Sequence, residues 1–261
     1  MAHAPTRLAF DDEGTGPPVV FLHGLTFDRR TWRPIIDRLD GVRSIAIDLP
    51  AHGESGGTPV ALEQVAAQVH ELLQSLGVEA PIVVGHSMSG GVVAFFAASH
   101  PATGAVFVDT GPEIKPFAQL VRQLEPMLRS PAFPNVWQRF EESLGLGRIP
   151  EPARSLVLET HTVEQKVVLG YWSQLLQTDP DAMQELVDAQ VNAIEVPTLG
   201  IFGRPATEGE RERFRRLPDV QIEEWVGDGH FVHLVDPDRF ARRLLEFVEH
   251  CTNRESRLAR S

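Results

Sequence analysis

Short apolar runs and segments with helical spacing alternate along the first 110 residues. The apolar runs are PPVVFLHG, RSIAIDLP, PIVVGHS and GAVFVDTG, at residues 17–24, 43–50, 81–87 and 104–111. Segments with helical spacing lie between them, at residues 31–39, 62–77 and 90–100. The clearest of these ends at Gly77, a residue that suits a left-handed helix cap. Continuous apolar strands separated by helices predict a buried parallel sheet with helical crossovers.

The pattern changes after Gly111. Residues 112–195 contain several helical stretches and no convincing strand, and prolines interrupt them at positions 126, 131, 134, 150 and 152. Strands return at residues 196–203 and 220–227, and a final helix is predicted from about Pro237 to His250. We therefore predict an α/β fold, with a mostly parallel central sheet flanked by helices and an inserted helical cap. The core comprises residues 1–111 and 196–261, and the cap comprises residues 112–195.

Composition narrows the classes of function. The 24 Lys and Arg against 36 Asp and Glu give a net charge of -12, which argues against a nucleic-acid or anionic-membrane surface. The single cysteine, Cys251, excludes an intrachain disulfide. The first residues lack a secretory signal pattern, and no apolar run approaches the roughly 20 residues of a membrane span, so a cytoplasmic protein is expected. The histidines lack metal-ligand spacing, and we expect no metal, no cofactor and a small-molecule substrate as partner. The oligomeric state is left open.

The strongest local signal is VVGHSMSGG at residues 83–91. A serine at a sharp strand-to-helix turn has its hydroxyl lifted above the carboxyl ends of the strands, which predicts Ser87 as a nucleophile. Gly85 and Ser89 are small enough for strand and helix to pass closely. The alternative is an ordinary Gly/Ser turn before a helix.

Two other segments supply matching chemistry. FLHGLTFDRRTW follows the first long strand, and in its turn the backbone N–H of Leu25 can face the serine. Together with the N–H of Met88, it gives two donors for a tetrahedral oxyanion. Late in the chain, GDGHFVHLVDP carries His230 between a strand and the last helix, where a general base can reach the serine.

In this order, GHSMSG, HGL and GDGHFVHL resemble the nucleophile elbow, oxyanion turn and histidine loop of the α/β-hydrolase superfamily. The resemblance covers about residues 6–250, with residues 112–195 as the cap. It implies Ser87 as nucleophile, His230 as general base, and Leu25 and Met88 as oxyanion donors.

The chain departs from the family pattern at two positions. Ser89 replaces the usual second glycine of the elbow, and we favour a packing role for it over substrate binding. The usual position of the acid is Ala206, so another carboxylate is needed to orient the histidine. We favour Asp109, which ends a rigid strand where some relatives, such as certain haloalkane dehalogenases, keep their acid. Glu208 is the other candidate, and Asp109 could alternatively only cap a turn.

The expected reaction is two-step acyl transfer by a serine hydrolase, acting on a small or medium apolar carboxylic ester or lactone. One alternative is a carbon–carbon bond hydrolase of vinylogous diketones, which needs a cation for the substrate carboxylate. Another is a ligand receptor or signalling protein on a hydrolase scaffold. The cap offers four candidate cations for such a carboxylate: Arg122, Arg129, Arg139 and Arg154. Its aromatic residues could form an apolar roof over the acyl pocket or could equally be packing residues; they are Trp137, Tyr171 and Trp172.

Overall fold

A computed structural model describes residues 7–258 and contains one seven-stranded sheet. Apolar residues fill the central strands without alternation, and these strands are buried on both faces. The strands are β1 (Phe10–Gly14), β2 (Pro18–Leu22), β3 (Arg43–Ile47), β4 (Ile82–His86), β5 (Gly104–Val108), β6 (Thr198–Phe202) and β7 (Val220–Glu224).

The strand order in the sheet is β1-β3-β2-β4-β5-β6-β7. Only β1 runs antiparallel, against β3, and each of the other pairs is parallel. Val84 lies opposite Phe21 on one side and Val106 on the other, so β4 sits near the middle of the sheet. Because parallel strands end at the same edge, the turns after β2, β4, β5 and β6 meet there.

Helices cover both faces of the sheet. One face packs against α2 (Leu62–Ser75) and α3 (Ser89–Ser99), and the other packs against α1 (Arg33–Ile36) and α12 (Pro237–Leu258), which gives two separate apolar clusters. The other helices outside residues 112–195 are α10 (Glu208–Phe214) and α11 (Val232–Val235). A 3-10 helix, Arg29–Trp32, precedes α1.

Between β5 and β6 the chain forms helices and turns and no strand. We call residues 112–195 the insertion. Many of its apolar residues, including Trp172, belong to the same buried cluster as α2 and α3, and others, including Val157, form a third cluster with Phe27 and Phe231. Its helices are α4 (Lys115–Leu128), α5 (Phe133–Ser143), α6 (Ala153–Thr160), α7 (Gln165–Tyr171), α8 (Ser173–Gln177) and α9 (Pro180–Asn192), with a 3-10 helix at Leu146–Arg148.

The predicted fold class is confirmed, with a mostly parallel sheet flanked by helices. The division into core and cap subdomain stays a prediction. Two details were wrong: α4 continues through Pro126 to Leu128 instead of breaking there, and the last helix reaches Leu258 instead of ending near His250. The edge strand β1 was not predicted because its sequence, FDDEG, is mostly charged. Across residues 7–258, no helix is both long and apolar enough to cross a membrane.

Candidate active site at the carboxyl edge of the sheet

Ser87 occupies a tight turn between β4 and α3. Its φ of +54° lies in the left-handed region, which a residue with a side chain adopts only when its surroundings enforce it. The Ser87 N–H donates to the Val108 carbonyl oxygen at 3.0 Å, and the Gly90 N–H donates to the Ser87 carbonyl oxygen at 2.9 Å. These bonds hold the turn, and the Ser87 side chain stays partly accessible.

Small residues allow α3 to start directly against β4. A Cβ atom on Gly85 would lie 2.5 Å from the Ser89 carbonyl oxygen and 2.6 Å from Val93 Cγ2. Ser89 is fully buried, and its hydroxyl donates to the carbonyl oxygen of His23 at 2.5 Å. Ser89 stands where the family usually has glycine, and its hydroxyl has a hydrogen-bond partner inside the protein. This agrees with a packing role for Ser89.

Asp109 and His230 meet at the same edge. His230 Nδ1 lies 2.8 Å from Asp109 Oδ2, and the Gly203 N–H donates to Asp109 Oδ1 at 2.9 Å. The Asp109 side chain is 7% exposed, and its backbone has a φ of +46°. Because a carboxylate only accepts hydrogen bonds, Nδ1 of His230 carries a proton, and Nε2 of the neutral ring is free to accept one.

The environment keeps Asp109 ionised. Burial by itself raises the pKa of this carboxyl, but the hydrogen bond and charge of His230 and the Gly203 amide outweigh it, so the pKa lies below its usual value. An ionised carboxylate against Nδ1 fixes the ring tautomer and stabilises an imidazolium.

The other candidate acid lies in a surface ion pair. Glu208 is the first residue of α10, its side chain is 73% exposed, and it pairs with Arg215 at 3.0 Å. Ala206, at the position where the family usually has its acid, is buried beside Glu224. The structure therefore brings Asp109, and not Glu208, to His230.

Glycines on both sides of the contact let the histidine loop, residues 227–237, fold onto the end of β6. The N–H groups of Gly227 and Gly229 both donate to the Gly203 carbonyl oxygen at 3.1 Å. A Cβ atom on Gly203 would lie 1.9 Å from the Gly229 carbonyl oxygen, and Gly229 itself has a φ of +75°. This close approach brings His230 toward the turn that follows β4.

His86 connects that loop to the elbow. Its Nε2–H donates to the His230 carbonyl oxygen at 2.9 Å, and the two ring centroids are 4.7 Å apart. Burial first, and then the neighbouring His230, lower the pKa of His86 to about 3, so it is neutral near pH 7. The sequence alone did not distinguish this contact from pocket lining, since it depends on a loop 144 residues away.

The predicted oxyanion donors flank the serine. A Cβ atom on Gly24 would lie 3.4 Å from Ser87 Cβ, so the turn that contains Leu25 contacts the elbow directly. We call this turn, residues 23–27, the oxyanion turn. Within residues 7–258, the amides of Leu25 and Met88 are not hydrogen-bonded to another group. Met88 immediately precedes α3, whose N-terminus favours negative charge.

The insertion covers this edge with aromatic side chains. Trp137 and Trp172 are buried with ring centroids 5.8 Å apart, and Tyr171 donates its hydroxyl hydrogen to the Pro50 carbonyl oxygen at 2.8 Å. A cavity of about 380 Å³ lies between the oxyanion turn, the loop after β3 and the insertion, and includes Thr26, His52 and Val167 in its wall. A second cavity, of about 540 Å³, lies within the insertion beside Trp137.

The arginines proposed as substrate cations face solvent. All four are exposed, and three of them are engaged with the insertion itself: Arg122 with the Thr178 carbonyl oxygen, Arg129 with Glu125 and Arg154 with Glu151. In the part of the chain that the structure describes, His, Cys, Asp and Glu residues form no group of three or more arranged to hold a metal ion.

Several known proteins are similar to this chain. A 109-residue segment is 38% identical to a protein of Mycobacterium phage D29, a match that covers 40% of this chain and 39% of that protein. The 2-succinyl-6-hydroxy-2,4-cyclohexadiene-1-carboxylate synthase of Serratia proteamaculans is 24% identical, over 93% of this chain and 97% of that protein.

Solved structures share the fold. A thermophilic esterase from Thermogutta terrifontis superposes with a TM-score of 0.72 at 23% identity, covering 94% of both chains. The model of the alpha/beta hydrolase family matches residues 19–243, which span the sheet from β2 to β7 and the histidine loop. The chain therefore belongs to the alpha/beta hydrolase family.

Proposed function

We propose that this protein is a serine hydrolase that cleaves a small or medium apolar carboxylic ester or lactone through an acyl-enzyme intermediate. The observation that carries the proposal is the 2.8 Å contact between Asp109 and His230, made at the sheet edge where Ser87 adopts its strained turn. A nucleophile, an oriented base and an ionised acid are the parts that acyl transfer requires.

In this mechanism His230 Nε2 takes the proton of the Ser87 hydroxyl as its oxygen attacks the substrate carbonyl carbon. Asp109 stabilises the imidazolium, and the amides of Leu25 and Met88 stabilise the oxyanion. His230 then gives the proton to the leaving alcohol. A water activated by the same ring attacks the acyl-enzyme, releases the acid and restores Ser87.

The apolar character of the insertion supports an uncharged substrate. Its buried aromatic side chains, with Trp137 and Trp172 in contact, continue the apolar cluster that reaches the elbow helix. Apolar side chains also line the cavity beside Trp137, and such walls favour ligands whose binding depends on buried area, whereas charged and polar side chains line the cavity beside the oxyanion turn. The likeness to an esterase fold agrees with this class of substrate.

The test is replacement of the nucleophile. We expect Ser87→Ala to abolish hydrolysis of p-nitrophenyl butyrate and covalent labelling by a fluorophosphonate, because the other hydroxyl of the elbow, that of Ser89, is buried and donates to the His23 carbonyl oxygen. Ser75→Ala is the matched control, since Ser75 is exposed and bonds only within its own helix. Labelling that persists in Ser87→Ala and maps to another residue would contradict the proposal.

A carbon–carbon bond hydrolase is the second candidate. It draws support from the likeness to a synthase whose name includes a cyclohexadiene carboxylate, over 93% of this chain. The four insertion arginines that could bind such a carboxylate are exposed, which favours the ester substrate. Comparing kcat/KM for apolar esters, lactones and carboxylated dienones decides between the two.

A ligand receptor on this scaffold is the third reading. A receptor would label at Ser87 but would release about one equivalent of product and then stop. Repeated turnover of an aryl ester, measured beyond ten equivalents of product per protein, would exclude it.

A further inference from the structure

His52, in the loop after β3, contacts the oxyanion turn. Its ring is buried, its Nε2 lies 3.1 Å from the backbone nitrogen of Thr26, and its Nδ1 lies 3.0 Å from the Pro50 carbonyl oxygen. An amide N–H can only donate and a carbonyl can only accept, so both partners define the tautomer. His52 is neutral, with Nδ1 protonated and Nε2 accepting.

His52 accepts a hydrogen bond from the backbone of Thr26, which is next to a proposed oxyanion donor. Thr26 has a φ of +71°, a conformation that a β-branched residue adopts only under constraint, and it directly follows Leu25. The orientation of the Thr26 backbone limits where the Leu25 amide can point. Losing the acceptor of the Thr26 N–H would therefore let the turn relax away from the serine.

The insertion supplies the next link. The Tyr171 hydroxyl donates to the same Pro50 carbonyl oxygen that His52 contacts, and the two rings are 5.3 Å apart. The Thr162 N–H also donates to the Thr26 carbonyl oxygen at 2.8 Å, so the insertion holds the turn from a second side. These contacts form a continuous path of hydrogen bonds from the insertion to the oxyanion turn.

We propose that His52 is a positioning residue for the oxyanion turn, and that Tyr171 completes this arrangement from the insertion. The inference rests on the proposed function, because it assigns a role in stabilising the tetrahedral intermediate. It adds a residue whose effect is transmitted through the backbone of Thr26 to the Leu25 amide. Burial lowers the pKa of His52 to about 3, so its acceptor nitrogen is available throughout the neutral range.

The central variant is His52→Phe, which keeps an aromatic ring but removes both nitrogens. Because oxyanion donors act mainly in the transition state, we expect kcat for p-nitrophenyl butyrate to fall about 10- to 100-fold, with KM changed less than about threefold. Affinity for a trifluoromethyl ketone, which forms a tetrahedral adduct with the serine, should fall by a similar factor. His52→Gln can return an acceptor to Thr26 and should recover most of kcat.

A thermal melt would show whether His52→Phe is folded. If it is not, Tyr171→Phe keeps the test decisive, and His70→Phe serves as a control for both variants. Tyr171→Phe removes only a hydroxyl and should lower kcat by about three- to tenfold, again with KM nearly unchanged. His70→Phe is the control, because His70 stacks on His100 at the far end of α3 from the elbow, and its kcat should equal that of the wild type.

The outcomes separate this inference from the proposed function. If the wild type turns over the ester, and His52→Phe and Tyr171→Phe both have a kcat within twofold of the wild-type value, the positioning role of His52 is overturned. The proposed function then still stands. A change in KM without a change in kcat or in the affinity for the ketone would likewise overturn the positioning role. Absence of Ser87 labelling in the wild type would instead overturn the proposed function.

Discussion

At the scale of single residues, the candidate site depends on which carboxylate orients His230. The Asp109 carboxylate accepts from Nδ1 and is itself held by the Gly203 amide. Asp109→Asn keeps the size of the side chain, but its amide can donate to Nδ1 and so favours the wrong tautomer. We expect kcat to fall by roughly 10³- to 10⁴-fold with the fold retained, measured by ester turnover and circular dichroism.

Glu208→Gln is the matched control, because it changes a carboxylate to an amide in a surface ion pair. Its kcat should equal that of the wild type. The reverse result, with activity lost in Glu208→Gln and kept in Asp109→Asn, would assign the acid to Glu208.

Sequence reasoning reached the residues of the candidate site that sit in local motifs. Ser87 and His230 stand in short glycine-containing segments, and Asp109 ends an apolar strand, so each is visible in a few neighbouring letters. His86 and His52 gave no such signal. Their roles depend on contacts to His230 and Thr26, which are 144 and 26 residues away along the chain.

At the scale of elements, the attachment of α3 to the end of β2 depends on Ser89. Its buried hydroxyl donates to the His23 carbonyl oxygen, which joins α3 to the end of β2. Ser89→Ala removes that donor from a buried carbonyl, so we expect the free energy of unfolding to fall by about 1–2 kcal/mol in urea denaturation. Ser89→Gly should lose slightly more, since glycine also weakens the first turn of the helix.

A different result would indicate a different role. If the hydroxyl binds substrate, Ser89→Ala raises KM and leaves the free energy of unfolding unchanged.

The elements themselves were predictable to the extent that apolar patterning marks them. Four strands were predicted as apolar runs and two more at residues 196–203 and 220–227, and each of the six lies inside its predicted range. The strand β1 carries charged residues because it lies at the edge of the sheet and is only partly buried. The helix α4 continues through Pro126 in its last turn, although proline lacks the N–H that would donate to the Arg122 carbonyl oxygen.

At the scale of the whole molecule, the insertion contacts each of three loops at the carboxyl edge. Arg148 donates to the Gly227 carbonyl oxygen at 2.6 Å, Thr162 to that of Thr26, and Tyr171 to that of Pro50. The insertion thus helps to fix the loops that carry His230 and the oxyanion turn. Only the folded arrangement shows this, since prolines and helical spacing in the sequence specify helices and not their partners.

Buried neutral histidines connect this architecture to pH. Burial lowers the pKa of His23 to about 4, and the pKa of both His52 and His86 to about 3. In the unfolded chain a histidine has a pKa of about 6.5, so below pH 6.5 the unfolded chain binds more protons than the folded one. The free energy of unfolding must then fall as the pH falls, whereas above pH 6.5 these residues add no pH dependence.

At pH 5 this linkage costs about 2 kcal/mol for each such histidine, since 1.5 pH units separate that pH from the unfolded pKa. We expect urea midpoints to decrease steadily from pH 7 to pH 5. His52→Gln removes one of the titrating groups, so its unfolding free energy should depend less steeply on pH than that of the wild type. Equal slopes in the two proteins would mean that His52 takes up its proton in the folded state, which its bonds to Thr26 and Pro50 oppose.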